Sequence, residues 1–335
     1  MTVEKFPDRT IIIDHLEYLY FGGTNYLGMN TNVDFQQILF ESIKQWGTSY
    51  GSSRNANIKL SIYDIAENLL AKNIATEAAL AVSSGMLAGK YVLEYLLKAT
   101  DAFFHFPDTH PALIDTSSRP IFINGKLNPK IFESSISKIA IFADSIPGFR
   151  VEPIDFKIII EIPKEKEITL VIDESHTFGI YNNEWLNYLE KENIKIIKIA
   201  SMGKAFGLSG GVIASNYKII SEIRNQNTFI GASGMSPAFL NTYVNAQGLY
   251  FEQKQKLQQN LNFLDFHFIN RNGFTFNPIY PVIYFEDESI SKKLFENRII
   301  TTSFKYTNNS KKFNRIVITA NHTFQDLEQL IEHLN

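Results

Sequence analysis

Lys204 stands in Ser201-Met202-Gly203-Lys204-Ala205-Phe206-Gly207, a lysine set among small residues. Upstream, Asp173-Glu174-Ser175-His176 closes the apolar run Ile168-Thr169-Leu170-Val171-Ile172. A lysine amine adds to an aldehyde most readily where desolvation or a neighbouring cation lowers its pKa. A carboxylate held beside a pyridine nitrogen favours the protonated ring, which then withdraws electrons from a bound substrate. Together the two segments describe a site for pyridoxal phosphate in an enzyme acting on amino acids. Alone, each has a plainer reading, since most lysines are solvated and a strand-end aspartate commonly caps a helix. Their order favours the site: one helical crossover and one strand separate them, which brings both to one rim of a sheet.

Other segments add to the pair. His176 could bond the cofactor's phenolic oxygen. Ser83-Ser84-Gly85-Met86 follows the apolar Ala78–Val82 and opens a helical stretch to about Lys98. Backbone amides at such a helix start bind phosphate, and the hydroxyls of Ser84 and Ser201 could add donors. His110, in Asp108-Thr109-His110-Pro111, could stack on the ring and serve as an acid–base group. Arg315, at the start of a late strand, could clamp a substrate carboxylate with two parallel hydrogen bonds.

The elements that must position these residues follow from hydrophobic pattern. Ala78–Val82, Ala102–Phe106, Pro120–Ile123, Lys138–Ala143, Ile168–Asp173, Ile194–Ala200 and Gly211–Ala214 read as strands, too apolar to leave one face wet. Helical patterns or loops separate them, so the expectation is an α/β domain with a mostly parallel seven-stranded sheet covered by helices. Ser236-Pro237 then starts a long helix that stops near Asn272-Gly273. Beyond it, strands at Ile279–Phe285, Ile299–Tyr306 and Arg315–Ala320 surround a helix from about Ser291 to Asn297. A last helix starts at Thr323, with Thr323 and Asp326 at capping-box spacing. The expected division is an N-terminal arm over 1–30, a large cofactor-binding domain over 31–235, and an interdomain helix with a smaller α+β domain over 236–335.

Composition narrows the class. The 335 residues are 44% hydrophobic and 20% charged, as in a soluble globular protein, and suffice for two domains. A net charge of −3 lacks the basic footprint of a nucleic-acid binder. With no cysteine there are no disulfides and no thiolate metal sites, and no metal is implied. The charged Met1–Arg9 segment has no apolar signal core, and no run approaches the ~18 apolar residues of a membrane helix. A cytoplasmic enzyme is expected.

Taken in order, these segments resemble the α-oxoamine synthases, class II aminotransferase-like pyridoxal phosphate enzymes of the aspartate-aminotransferase fold (fold type I). Asn25-Tyr26-Leu27-Gly28 is similar to the family's Asn-Tyr-Leu-Gly, and Tyr50-Gly51-Ser52-Ser53-Arg54 to its glycine-rich turn ending in arginine. Ser84-Gly85-Met86, His110 to Asp115, Asp173 to His176 and Ser201 to Gly211 resemble the phosphate turn, the stacking-histidine segment, Asp-Glu-Ala-His and the Schiff-base lysine segment. Phe229 to Pro237 and Arg315 to Thr323 resemble the loop that reaches the neighbouring subunit and the closing Arg-Ile…His-Thr run. The likeness spans almost the whole chain. It implies a homodimer with shared active sites, in which Lys204, His110 and Asp173 are catalytic. Ser84, Gly85, Met86, Ser145, His176 and Ser201 would hold the cofactor, with Ser233 reaching the partner's phosphate and Asn25 and Arg315 binding substrate. The implied reaction condenses an amino acid with an acyl-CoA or acyl-carrier-protein thioester. An aminotransferase working on an amino acid and a keto acid is the alternative. Departures fall on the substrate side: Ile58-Lys59 and Tyr63 replace the family's Gly-Thr and histidine, and its His-Asn-Asp is not recognisable around Asn124-Gly125.

Overall fold

Alternate residues of single strands enter different cores, and that alternation sets the layers. In Ala78–Val82, Leu80 and Val82 pack on one side of the sheet, while Ala79 and Ala81 join the core on the other. Both faces are therefore buried, and helices must cover both. The computed structural model describes residues 2–181, 189, 194–268, 271–304 and 313–334.

The chain begins with β1 (Thr10–Ile13) and β2 (Leu16–Phe21), then α1 (Val33–Trp46) and α2 (Ser61–Asn73). Next come β3 (Ala78–Val82), α3 (Gly85–Leu97), β4 (Ala102–His105), β5 (Arg119–Pro120) and a small hairpin of β6 (Phe122–Ile123) and β7 (Lys126–Leu127). β8 (Lys138–Asp144), β9 (Glu167–Asp173), β10 (Ile194–Ser201) and β11 (Gly211–Ser215) follow, then α4 (Tyr217–Arg224) and α5 (Asn227–Gly231). The last third holds α6 (Pro237–Asn245), α7 (Gln247–Phe268), β12 (Phe274–Thr275), β13 (Val282–Phe285), α8 (Glu288–Glu296), β14 (Ile299–Phe304), β15 (Phe313–Val317) and α9 (Phe324–Leu334).

A seven-stranded sheet runs in the order β3-β11-β10-β9-β8-β4-β5. Its strands from β10 to β5 are parallel, and β11 is antiparallel to both neighbours. The expected mostly parallel seven-stranded sheet is present. One of its expected strands differs: Pro120–Ile123 splits, with Pro120 closing β5 and Phe122 opening the separate hairpin. Proline carries no N–H for a central ladder, so this edge is where it fits.

Two further differences have physical causes. The long helix from Pro237 divides at Ala246, whose φ of −95° and ψ of 11° leave helical geometry. Around it Thr242, Asn245 and Gln247 each donate a side-chain hydrogen bond to the carbonyl four residues earlier, and such back-bonding bends helices. The N-terminal arm, in turn, is part of a sheet. β2 lies parallel to β14 in a six-stranded sheet ordered β1-β2-β14-β15-β13-β12. The final two residues expected in the strand Ile299–Tyr306 lie outside the described residues.

Thr323 and Asp326 form the capping box: Asp326 accepts from the Thr323 amide at 2.7 Å, and Thr323 Oγ1 accepts from the Asp326 amide at 3.2 Å. Just before it, His322 is buried and stacked 4.2 Å from the Phe21 ring. Its Nδ1 lies 3.0 Å from the Thr319 amide and accepts from it, so Nε2 carries the proton toward the Tyr20 carbonyl at 3.2 Å. Burial lowers its pKa to about 4 from 6.5. The unfolded chain therefore takes up this proton first as pH falls, and the stability His322 provides is present above pH 6.5 and lost toward pH 4. At ~1.4 kcal/mol per pH unit, about 3 kcal/mol of unfolding free energy disappears over that interval. Urea melts at pH 7 and pH 4.5 should show the loss in the native chain and a smaller one in His322→Gln; equal pH slopes would remove His322 as its source.

Candidate active site

The carboxyl ends of β8, β9 and β10 supply the centre of the site. In register, Asp144 of β8 lies beside Asp173 of β9, and both are buried. Asp173 Oδ1 accepts from the Ser175 amide at 2.8 Å, which fixes its carboxylate at the strand end. Asp144 Oδ1 accepts from the His110 amide at 3.0 Å. Burial, and then the charge of Asp173, push the Asp144 carboxyl well above the usual range.

Lys204 follows β10 on a turn closed by Met202–Gly210 and Leu208–Met202 backbone hydrogen bonds. Gly207, at φ +66°, takes the left-handed conformation that turn needs, and a Cβ there would meet Asn30 Oδ1 at 2.5 Å. Lys204 Nζ lies 2.8 Å from His176 Nε2. Burial lowers the Lys204 pKa; Asp173 and Asp144 oppose that, and Arg315 lowers it further. The balance leaves an amine that loses its proton more readily than a solvated lysine, as addition to an aldehyde requires.

His176 is held on its other side as well. Its Nδ1 is 2.7 Å from the Tyr26 hydroxyl and 3.3 Å from that of Tyr280. Burial first, then the cations Lys204 and Arg315, hold it well below the ordinary histidine range, so the ring is neutral. His110 caps a short turn, Pro111–Leu113, with Nδ1 accepting from the Ala112 amide at 3.1 Å. Burial lowers its pKa, while the charges of Asp173 and Lys204 act on it in opposite senses, which puts all three in one electrostatic neighbourhood.

Ser84 is the N-cap of α3, with its hydroxyl accepting from the Leu87 amide at 3.2 Å. Here the backbone is crowded. A Cβ on Gly85 would sit 2.9 Å from Ser201 Cβ, and one on Gly211 would sit 2.4 Å from the Ser84 carbonyl carbon. Ser84, Gly85 and Ser201 thus form a cradle of amides and hydroxyls at a helix N-terminus, suited to a phosphate. The Ser201 amide donates to Ser175 Oγ at 2.8 Å, tying the cradle to the Asp173 segment. Arg315, on β15, places Nη2 3.5 Å from the Gly23 carbonyl. Its charge reaches both Lys204 and His176. Asn25 keeps a buried Oδ1 with no hydrogen-bond donor among the described residues, an acceptor open to a ligand.

Two expected residues stand apart from this cluster, whereas Ser145 joins it through its amide, which donates to the Asp173 carbonyl at 2.9 Å. Ser145 is fully buried, with its hydroxyl 2.7 Å from Thr177 Oγ1. Met86 is exposed on α3, and Ser233 is exposed on the loop that precedes α6. Asp144 and Tyr280 were not singled out from sequence, and Tyr26 only as part of a motif. The apolar run Lys138–Ala143 ending in an acidic residue was the one available signal for Asp144.

A base-poised lysine, a neutral histidine against it, a fixed strand-end carboxylate and a glycine-shaped phosphate cradle together fit pyridoxal phosphate. Residues 148–334 match the aminotransferase class I and II family, more than half of the chain. The chain belongs to that family. Pyridoxal phosphate is its cofactor, and it is a transferase. The chain is 25% identical to the 8-amino-7-oxononanoate synthase of Petrotoga mobilis over 98% of its own length and 90% of that protein. In fold it is similar to the Sphingomonas wittichii serine palmitoyltransferase, with a TM-score of 0.77, 15% identity, and coverage of 98% of this chain and 88% of the other. It is likewise similar to the 8-amino-7-oxononanoate synthase of Francisella tularensis, with a TM-score of 0.72, 19% identity, and coverage of 95% and 96%. Among the described residues of this family member, no helix is long and apolar enough to cross a membrane.

Proposed function

We propose that this transferase condenses an amino acid with an acyl thioester, as an α-oxoamine synthase. The observation that supports the reading is His110, whose amide donates at 3.0 Å to Asp144, the in-register neighbour of Asp173. Many aminotransferases put an aromatic residue against the cofactor ring instead of a histidine. Relatives named 8-amino-7-oxononanoate synthase along nearly the whole chain support it.

Bound pyridoxal phosphate supplies an aldehyde for the substrate amine and a ring that draws electrons from the amino acid's Cα. Asp173 would hold the ring nitrogen, His176 the phenolic oxygen, and Ser84, Gly85 and Ser201 the phosphate. Lys204 Nζ would anchor the cofactor's aldehyde end and take the proton from the amino acid's Cα. His110 would stack on the cofactor ring and position the acyl carbonyl of the thioester, whose C–S bond breaks to release the thiol as the carbon–carbon bond forms. Arg315 and Asn25 orient the amino acid by its carboxylate.

The working form is a cytoplasmic homodimer in which Ser233 of each subunit reaches the other's phosphate. Exposed Met86 and Ile230 are apolar side chains that a partner would cover. Arg315→Ala should raise KM for the amino acid roughly 10- to 100-fold, the value of a charge-assisted hydrogen bond, with a smaller change in kcat. An unchanged KM would take Arg315 out of the substrate site.

The reaction is tested by mixing the cofactor-loaded protein with a panel of amino acids, without and then with acyl thioesters. Thiol release that needs both partners establishes the condensation. Conversion of the cofactor to its amine form by an amino acid alone, reversed by a keto acid, would make the enzyme an aminotransferase.

A further inference from the structure

Tyr280 belongs to none of the segments that carry the chemistry, yet its hydroxyl lies 3.3 Å from His176 Nδ1. It is almost fully buried, in the segment Asn277-Pro278-Ile279-Tyr280-Pro281 that leads into β13 of the six-stranded sheet. Tyr26, equally buried, reaches the same nitrogen from the N-terminal arm at 2.7 Å. The two phenols are packed edge-on, 6.4 Å between centroids, and are hydrogen-bonded to each other. Two segments distant in sequence therefore converge on one nitrogen of the imidazole.

A neutral imidazole has one N–H and one acceptor nitrogen, and what its surroundings offer decides which is which. Burial keeps Tyr280 protonated far above neutral pH, so both phenols facing Nδ1 carry a proton to donate. Two phenol hydroxyls lie within reach of Nδ1, at 2.7 and 3.3 Å, and a phenol O–H donates to an imidazole nitrogen more readily than the neutral ring's N–H donates to a phenol. With Nδ1 accepting, Nε2 carries the ring proton. That nitrogen points to Lys204 Nζ, 2.8 Å away, where the cofactor's aldehyde end is bonded. A phenolate oxygen there accepts only, so an N–H is the group it needs.

We propose that the hydroxyls of Tyr26 and Tyr280 are positioning groups that hold His176 in the Nε2–H tautomer and aim that N–H at the phenolic oxygen of the cofactor. The inference rests on the cofactor placement given above. It makes Tyr280, from the small sheet, part of the support for a residue at the rim of the large one.

The test is a long-range 1H–15N correlation spectrum of the cofactor-loaded protein labelled at histidine; the chain has seven histidines, so the spectrum is sparse. His176→Gln identifies the resonances. The expected native pattern is a bare, pyridine-like Nδ1 and a protonated, pyrrole-like Nε2. Tyr26→Phe and Tyr280→Phe each remove one oxygen and keep the ring, and together they should convert His176 to a tautomer mixture. In parallel, the pyridoxal phosphate dissociation constant should rise about fivefold in each, as expected for one lost neutral hydrogen bond. A native spectrum with the proton on Nδ1 would overturn the proposal. So would a double variant whose His176 shifts match the native ones. Should one variant fail to fold, the native tautomer and the other variant still decide. None of these readouts involves turnover, so a failed condensation assay and a failed tautomer assignment are told apart.

Discussion

Lys204→Ala is expected to abolish the visible absorbance of the cofactor-loaded protein and to lower turnover by ~10³-fold or more. In the proposed reaction two functions rest on one amine, tethering the aldehyde and moving the Cα proton. Burial and the Arg315 cation lower its pKa from 10.5, so the free amine is available nearer neutrality than on a solvated lysine. The native protein should accordingly bond the cofactor at a pH where surface lysines remain protonated. Borohydride reduction of the loaded native protein should fix the cofactor's mass on the peptide containing Lys204, and nothing should be fixed there in the variant. A variant that stays yellow and active would remove Lys204 from the centre of the site.

Glu67→Ala should cost ~3–5 kcal/mol of stability, the penalty for leaving a buried charge without its partner. Glu67 Oε1 lies 2.6 Å from Arg54 Nη1, with both side chains about 5% exposed or less. Its other oxygen lies 2.6 Å from Arg224 Nη2, and Oε1 also accepts from the Ala81 amide at 2.8 Å. Arg54 lies 3.8 Å above the Tyr63 ring, so the guanidinium cannot swing out to water without losing that contact. Ala81 is in β3, the strand that runs into the Ser84 cradle, so weaker cofactor binding should accompany the loss. Urea melts of cofactor-free Glu67→Ala and Glu67→Gln check this: Gln keeps the shape and an acceptor and should lose less. A loss under ~1 kcal/mol in Glu67→Ala would mean that Arg54 is served by water.

Lys204, Asp173, His176, His110 and Ser84 were legible because each sits at a strand end among neighbours that restrict its surroundings. Local sequence carries that information. Asp144 was not, because its meaning comes from lying beside Asp173 in register, and register is a property of two strands. Glu67 reads as a solvated helix acid until folding brings Arg54 and Arg224 to it. Tyr280, between two prolines, reads as loop, and nothing local says which nitrogen its hydroxyl will meet. The seven apolar strands were visible because both faces of that sheet are buried. β1 and β2 are half-exposed and short, and only their pairing with a distant strand makes them part of a sheet.

That pairing has a consequence for how the chain acquires its fold. Gly23 bonds to Thr302 across 279 residues, and Arg9 pairs with Asp326 across 317. During synthesis, β2 and the Tyr26 segment leave the ribosome long before the strand that completes their sheet exists. They wait as an unpaired hairpin edge, the kind of surface that recruits wrong partners. The last steps of folding therefore join the two ends of the chain, at the slow pace that distant contacts impose. Because Tyr26, Arg315 and Tyr280 arrive with that closure, a nascent chain can finish its seven-stranded sheet and still be unable to act.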